Sequence, residues 1–281
     1  MSDVLIKKRI LKDHLAKLII LAISIIVVVP LVLILGYLII NGLASINLDF
    51  ITNIPKPVGE TGGGILNAIL GSGIIILTAL ILFVPLGIGG GIYVSEFSDT
   101  LLSRILRLSI DVLQGTPSIV IGIFTWVICV VPMGRFSALS GSLALGVMVL
   151  PIVLKSTEET LKLIPMELRE AATALGVPYY RVVLKVVVPA GLKGIASGVL
   201  LGTTRISGET APLLFTAFGN PYMSFNILKP MSSLPLVIYV YATSPYDEWH
   251  KLAWGASLIL ILLVFGINMA ARIFFSRRDG R

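Results

Sequence analysis

Between Leu18 and Ile40 the chain runs for 23 residues without one charged side chain. A secretory signal carries an apolar stretch of only about 7–15 residues. A bilayer core of about 30 Å takes roughly 20 apolar residues as a helix. The run therefore predicts an uncleaved first membrane helix. Pro30 and Gly36 are tolerable inside it, because neighbouring helices satisfy the backbone groups they free. Further apolar runs follow at about 65–92, 109–131, 141–160, 191–218 and 251–275. The expected fold is all-α, a polytopic bundle of six transmembrane helices over 18–275. A basic lead at 1–17 precedes it and a basic tail at 276–281 follows. Only 13% of the residues are charged, about half the share of a soluble domain.

The net charge of +7 invites a nucleic-acid partner, but the positions of the charges explain it differently. Seventeen of the 22 Lys and Arg residues fall in 1–17, 95–108, 155–193 and 272–281. Four fall on the opposite side, at Lys56, Arg135, Lys229 and Lys251, and Arg205 lies within a span. Positive residues collect on the cytoplasmic side, so both termini are expected in the cytoplasm, with the chain in the cell membrane. Segments 41–64 and 219–249 then read as external loops. Segment 95–108 is amphipathic and reads as an interfacial helix on the inner side.

Several chemistries are excluded. No Gly-x-x-x-x-Gly-Lys-Ser/Thr loop occurs, so ATP binding through a P-loop is not expected. Cys129 is the single cysteine and His14 and His250 stand alone, which leaves neither an intrachain disulfide nor metal-ligand spacing. The glycines at 87, 89, 90 and 91 imply close approach of another helix, or a break in their own. A nucleophile–base pair at membrane depth, as an intramembrane enzyme needs, is missing from the spans.

The longest polar-bearing interruption is 161–190. Pro165 suits a first helical turn, and Ile164, Leu168, Ala171, Ala172 and Leu175 share one face at helical spacing. Glu167, Arg169 and Glu170 fall largely off that face. Gly176 suits a left-handed helix end and Pro178 blocks continuation. Tyr180, Val183, Leu184 and Val187 begin a second amphipathic helix, expected to close at Pro189. Two short helices around a glycine corner make a shape for docking outside the membrane. Glu170-Ala171-Ala172, Gly176 three residues on, then Val186, Val188 and Pro189 at fixed spacing resemble the Glu-Ala-Ala loop of ABC importer permeases. Val186 and Val188 stand where Ile and Leu are commoner.

The fifth span holds a second constellation. Gly194, Gly198 and Gly202 recur every fourth residue, which admits a close helix neighbour. Arg205 follows, about 18 Å from Lys193 at 1.5 Å per residue, near the middle of the bilayer. An ionised group there costs about 2.5–3.5 kcal/mol on insertion scales. Glu209 at i, i+4 offers a partner, and two readings stand. The pair locks the bundle, or it lines a hydrated path where Arg205 meets an anion. A guanidinium suits oxyanions because its planar fork donates two parallel hydrogen bonds. Gly208 and Pro212 fit a helix broken at a transport site and equally a kink.

The run Arg205-x-x-Gly208-Glu209-Thr210-Ala211-Pro212-Leu213-Leu214-Phe215-Thr216 resembles the fifth-helix signature of phosphate ABC importer permeases. Gly115-Thr116-Pro117-Ser118-Ile119-Val120-x-Gly122 resembles their third-helix motif, which is expected to face the bundle interior. Thr61-Gly62-Gly63-Gly64-Ile65 with Asn67-Ala68-Ile69 resembles their second-helix entry. Ile206-Ser207 and Thr116 depart from the usual pattern.

The resemblance implies a type I ABC importer permease-like fold and a chain that is not itself an enzyme. Its partners would be a second, PstC-like permease, two ATPase subunits that bind ATP and Mg, and an extracytoplasmic phosphate-binding protein. No cofactor would sit on this chain. Arg205, Glu209, Thr210, Thr116 and Ser118 would line the substrate pathway. Glu170, Ala171, Ala172, Gly176 and Pro189 would couple to the ATPases. A permease for molybdate or phosphonate is the alternative, though it should lack the Arg-x-x-Gly-Glu-Thr run.

Overall fold

A computed structural model describes residues 2–60 and 62–276, with side chains from Lys8 to Ile273 apart from Thr61. Thr61 of the second-span motif, the Lys7 side chain and tail residues 277–281 lie outside the described residues. Every regular element among the described residues is helical. Helix α1 (Ser2–Leu43) takes in the basic lead, which is continuous with the first span. It joins the bundle at its C-terminal end, where Gly42 meets Leu258 and Tyr37 stands edge-on to Trp254. Helix α2 (Leu48–Thr52) is started by Asn47, whose side chain accepts the Phe50 N–H at 2.7 Å. So part of the 41–64 loop is folded against the bundle, with Phe50 1% exposed.

Helix α3 (Leu66–Glu96) spans 31 residues, about 46 Å at 1.5 Å per residue. Its glycines do not break it. Cβ atoms at Gly87 and Gly91 would stand 2.9 Å from Val153 and 2.5 Å from Thr157. Both neighbours belong to α7, described below. Small residues here let two backbones approach in lipid, where van der Waals packing drives association.

Helix α4 (Leu101–Gly115) is capped by Thr100, whose hydroxyl accepts the Ser103 N–H at 3.3 Å. It bends by 108° at Thr116-Pro117 into the helical run Ser118–Met133. That run comprises α5 (Ser118–Thr125), a wide π turn over Trp126–Val130 and α6 (Val131–Met133). This corrects the expected layout. Helix α4 occupies 101–115, against 95–108 expected for the amphipathic helix, and the segment 109–131, expected as one span, is bent at Thr116-Pro117. Proline disfavours helical backbone in the residue before it, so the corner falls at Thr116.

Helix α7 (Ala138–Lys162) is the centre of the bundle, with fifteen buried residues. Ile75, Ala79, Leu145, Val149, Val153, Ile206 and Leu213 form the main core beside it. After it come α8 (Met166–Ala174), α9 (Tyr179–Val182), a second π turn over Val183–Val187 and α10 (Val188–Ala190). Helix α11 (Leu192–Ser207) follows at a bend of 67°. Pro189 does not close the helix as expected. It sits just beyond the π turn, where Val188 N–H donates to Val183 O, five residues back. The first π turn precedes Pro132 in the same way, with Val131 N–H donating to Trp126 O. A proline ring crowds the carbonyl four residues back and cannot bond it; a widened turn relieves that clash without ending the helix.

The fifth span is broken. Helix α11 ends at Ser207 and α12 (Ala211–Thr216) starts after Thr210. The expected external loop 219–249 also differs. It contains α13 (Leu234–Ala242), whose Leu234, Pro235, Leu236, Val237 and Tyr241 are buried. Ser72 of α3 accepts the Leu234 N–H at 2.7 Å, satisfying a helix-start donor from another element. Alternating Ser and Pro made this segment read as loop, while its apolar residues Leu234–Val240 suffice for a helix turned into the bundle. Helix α14 (Asp247–Ser276) completes the fold.

Candidate functional site

Two places carry chemistry: the docking segment 161–190 and the break after α11. In the docking segment Pro165 takes the cap position before α8, with extended backbone, rather than a helical one. Gly176 has φ +77°, the left-handed conformation the corner requires, and its N–H donates to Thr173 O at 2.9 Å. A Cβ there would meet nothing within 4 Å, so only the backbone conformation selects glycine within this chain.

The shared face divides: Ile164 and Ala172 pack on the bundle, while the larger residues at its other positions do not. Leu168 is 45% exposed and Leu175 84%, and Leu163 and Met166 also face out. Ala172 is half-buried against the Leu161, Val182 and Val187 cluster. Glu170 and Ala171 are exposed. The one buried residue of α8 is Arg169. Its guanidinium donates to Ile164 O at 2.9 Å, Leu161 O at 3.0 Å and Glu96 Oε1 at 3.0 Å. The carbonyls belong to the end of α7 and the turn after it, where helix C-terminal acceptors lack internal partners. Helical periodicity identified the stripe but not which of its residues face the bundle.

Tyr179, at the start of α9, donates to the other oxygen of Glu96. This hydrogen bond, then burial, raises the Tyr179 pKa above its ordinary value, so the hydroxyl is a donor throughout the neutral range. Beside this group, Glu158 of α7 accepts from Arg107 of α4 at 2.9 Å and from Lys162. Glu96, Tyr179, Arg107 and Glu158 were not singled out from sequence. Their partners lie 51 to 83 positions away, beyond any local periodicity.

At the break, Arg205 occupies the last turn of α11 and is exposed, while Glu209 is half-buried beyond the helix end. Among the described residues neither makes an ion pair with the other. This corrects the i, i+4 pair, because helical spacing stops at Ser207 and Gly208 turns the chain before Glu209. Thr210 caps α12 with its carbonyl, which accepts from Leu213 and Leu214. Pro212 lies against Gly122, where a Cβ would be 2.6 Å from Pro212 Cα. That contact joins the third- and fifth-span motifs. Ser118 and Thr116 sit half-buried at the corner before α5, and Thr116 donates to Val112 O.

The glycine side of α11 packs closely, while several positions around the helix are exposed. Gly194 abuts Thr160, Gly198 abuts Ser156, and a Cβ at Gly202 would be 2.6 Å from Val149. Around the helix Lys193, Ser197 and Thr204 are exposed, with Thr204 joined to Asn268 of α14, and Arg205, seven residues after Gly198 and so on the glycine side, is exposed in the last turn. A guanidinium among apolar spans is costly against lipid. It suits water or a second protein chain.

The sequence matches the family described as binding-protein-dependent transport system inner membrane component over residues 84–280. A phosphate transport system permease protein PstA of Xylella fastidiosa is 45% identical over 242 residues, covering 85% of this chain and 84% of the relative. A probable one from Methanocaldococcus jannaschii is 35% identical, with 94% of each chain covered. Among solved structures, a chain of the inward facing MetNI methionine ABC transporter superposes with a TM-score of 0.59. It is 18% identical, over 75% of this chain and 92% of that one, a likeness of fold.

Proposed function

This chain belongs to the family of phosphate transport system permease proteins PstA, and we propose that it forms one half of the membrane path through which inorganic phosphate enters the cell. It is a multi-pass membrane protein and a permease subunit of an ATP-driven importer. Its partners in that machine are an ATPase and a substrate-binding protein. We assign the second half of the path to a homologous, PstC-like permease, and ATP hydrolysis with its Mg to two copies of the ATPase. Both termini and the docking segment face the cytoplasm, following the charge distribution.

The observation that carries the reading is Arg205: a guanidinium on a membrane helix, exposed, with no ion pair among the described residues. Its cost in lipid is removed if the exposed end of α11 borders a hydrated path shared with the second permease. There the planar fork meets phosphate oxygens in passing. Glu209 and Thr210, at the break, and Thr116 and Ser118, at the corner before α5, border the same path. Glu209 keeps the site from holding the anion too tightly, since conduction needs binding weak enough to release.

On the cytoplasmic side, the exposed Leu168 and Leu175 with Glu170, Ala171 and Gly176 form the surface an ATPase cleft receives. Pro189 bends the following chain toward α11. ATPase closure pushes this surface and opens the path outward, where the binding protein delivers its ligand. The test is uptake of radiolabelled phosphate by proteoliposomes holding the four kinds of subunit, with ATP inside the vesicle lumen equivalent to the cytoplasm. The expected result is ATP-dependent phosphate uptake unaffected by excess molybdate. Uptake of molybdate in preference to phosphate overturns the assignment.

A further inference from the structure

The docking segment rests on the bundle through a charge, which is unusual for a helix beside an apolar core. The Glu96 side chain is 3% exposed and that of Arg169 is 11% exposed. The two oxygens of this carboxylate serve different elements. Oε1 accepts from Arg169 of α8, before the Gly176 corner, and Oε2 accepts from Tyr179 of α9, after it. Arg169 also closes the carbonyls of Leu161 and Ile164 at the end of α7. One carboxylate thus gathers both docking helices, the end of α7 and the end of α3.

Helix α3 is a continuous rod, and Glu96 is its last helical residue. At the far end, Asn67 donates to Asn220 O at 2.7 Å and Ser72 accepts the Leu234 N–H. A Cβ at Gly71 would collide with the Ser232 carbonyl. The rod therefore touches the docking segment at one end and the inward-turned segment 219–242 at the other. Its C-terminal third is held close to α7 through Gly87 and Gly91.

We propose that Glu96, Arg169 and Tyr179 form the joint that passes movement of the ATPase-docking helices to α3, and through it to the external segment 219–242. The three are positioning residues and none touches phosphate. The joint rests on the reading of this chain as an ATP-driven permease. A charged joint suits the task better than an apolar one. Two hydrogen-bonded oxygens hold direction as well as distance, whereas apolar contact slides. The pair is also protected from salt screening by its burial.

The experiment uses the complete complex in proteoliposomes and reads phosphate imported per ATP hydrolysed. Tyr179→Phe removes one hydroxyl and leaves the Glu96–Arg169 pair. Glu96→Leu with Arg169→Met removes both charges together, a replacement that buried pairs tolerate. Both proteins are expected to assemble and to hydrolyse ATP, with the phosphate-to-ATP ratio reduced about fivefold or more, the low end for coupled sites. A wild-type ratio in the assembled double variant overturns the joint. Should that variant fail to assemble, a wild-type ratio in Tyr179→Phe overturns it equally. Wild-type complex that carries no phosphate at all would instead refute the transport reading, so the two failures are distinct.

Discussion

Arg169 and Arg205 have the same side chain and opposite fates. Arg169 lies in a polar loop and is buried, with three acceptors. Arg205 lies in a membrane helix and is exposed, outside any ion pair among the described residues. Hydropathy ranks the two the wrong way round. In a membrane subunit, depth in the bilayer and burial in the chain are independent, because part of the surface at membrane depth belongs to a path or a partner. What buries Arg169 is supply of acceptors: a helix end with free carbonyls and a carboxylate closing another helix. What exposes Arg205 is the end of α11 two residues later, which carries Glu209 off the shared face.

The comparison breaks most visibly at Arg169. Arg169→Met leaves Glu96 buried and unpaired, at a cost of about 3–5 kcal/mol. Yield of the complex on native gels should fall severely, and a wild-type yield would mean that Glu96 finds water instead. Exposure of α11 gives the next contrast. Gly198→Leu drives a side chain into Ser156 and should destabilise the subunit by about 1–3 kcal/mol, read as a lowered melting temperature in detergent. Gly208→Leu meets open space at φ −99° and should leave the melting temperature unchanged. Equal loss in both would show that α11 is packed on all sides.

The sequence made the all-helical fold, the glycine corner at Gly176 and the close packing of Gly194, Gly198 and Gly202 readable, because each follows from local spacing. It misled where the deciding partner is distant in sequence. Periodicity grouped Ile164, Leu168, Ala171, Ala172 and Leu175 on one face, yet only Ile164 and Ala172 among them pack on the core. The 219–249 segment looked like solvent loop, yet Ser72, more than 150 positions earlier, caps its helix. The third span was drawn through Thr116-Pro117 because hydropathy does not register a corner. The Arg205–Glu209 pair assumed a helix that Gly208 ends.

Arg205 should show the smallest effect on assembly and the largest on transport. Arg205→Gln keeps the length of the side chain nearly intact and removes its charge and fork. The deciding measurement is radiolabelled phosphate uptake by proteoliposomes holding the Arg205→Gln complex, matched to wild type for complex yield. The account predicts wild-type yield, with uptake lowered about tenfold to a hundredfold, the loss of roughly 1.5–3 kcal/mol that a charge-assisted hydrogen bond supplies. Wild-type uptake by that complex would contradict it and leave Arg205 without a part in moving phosphate.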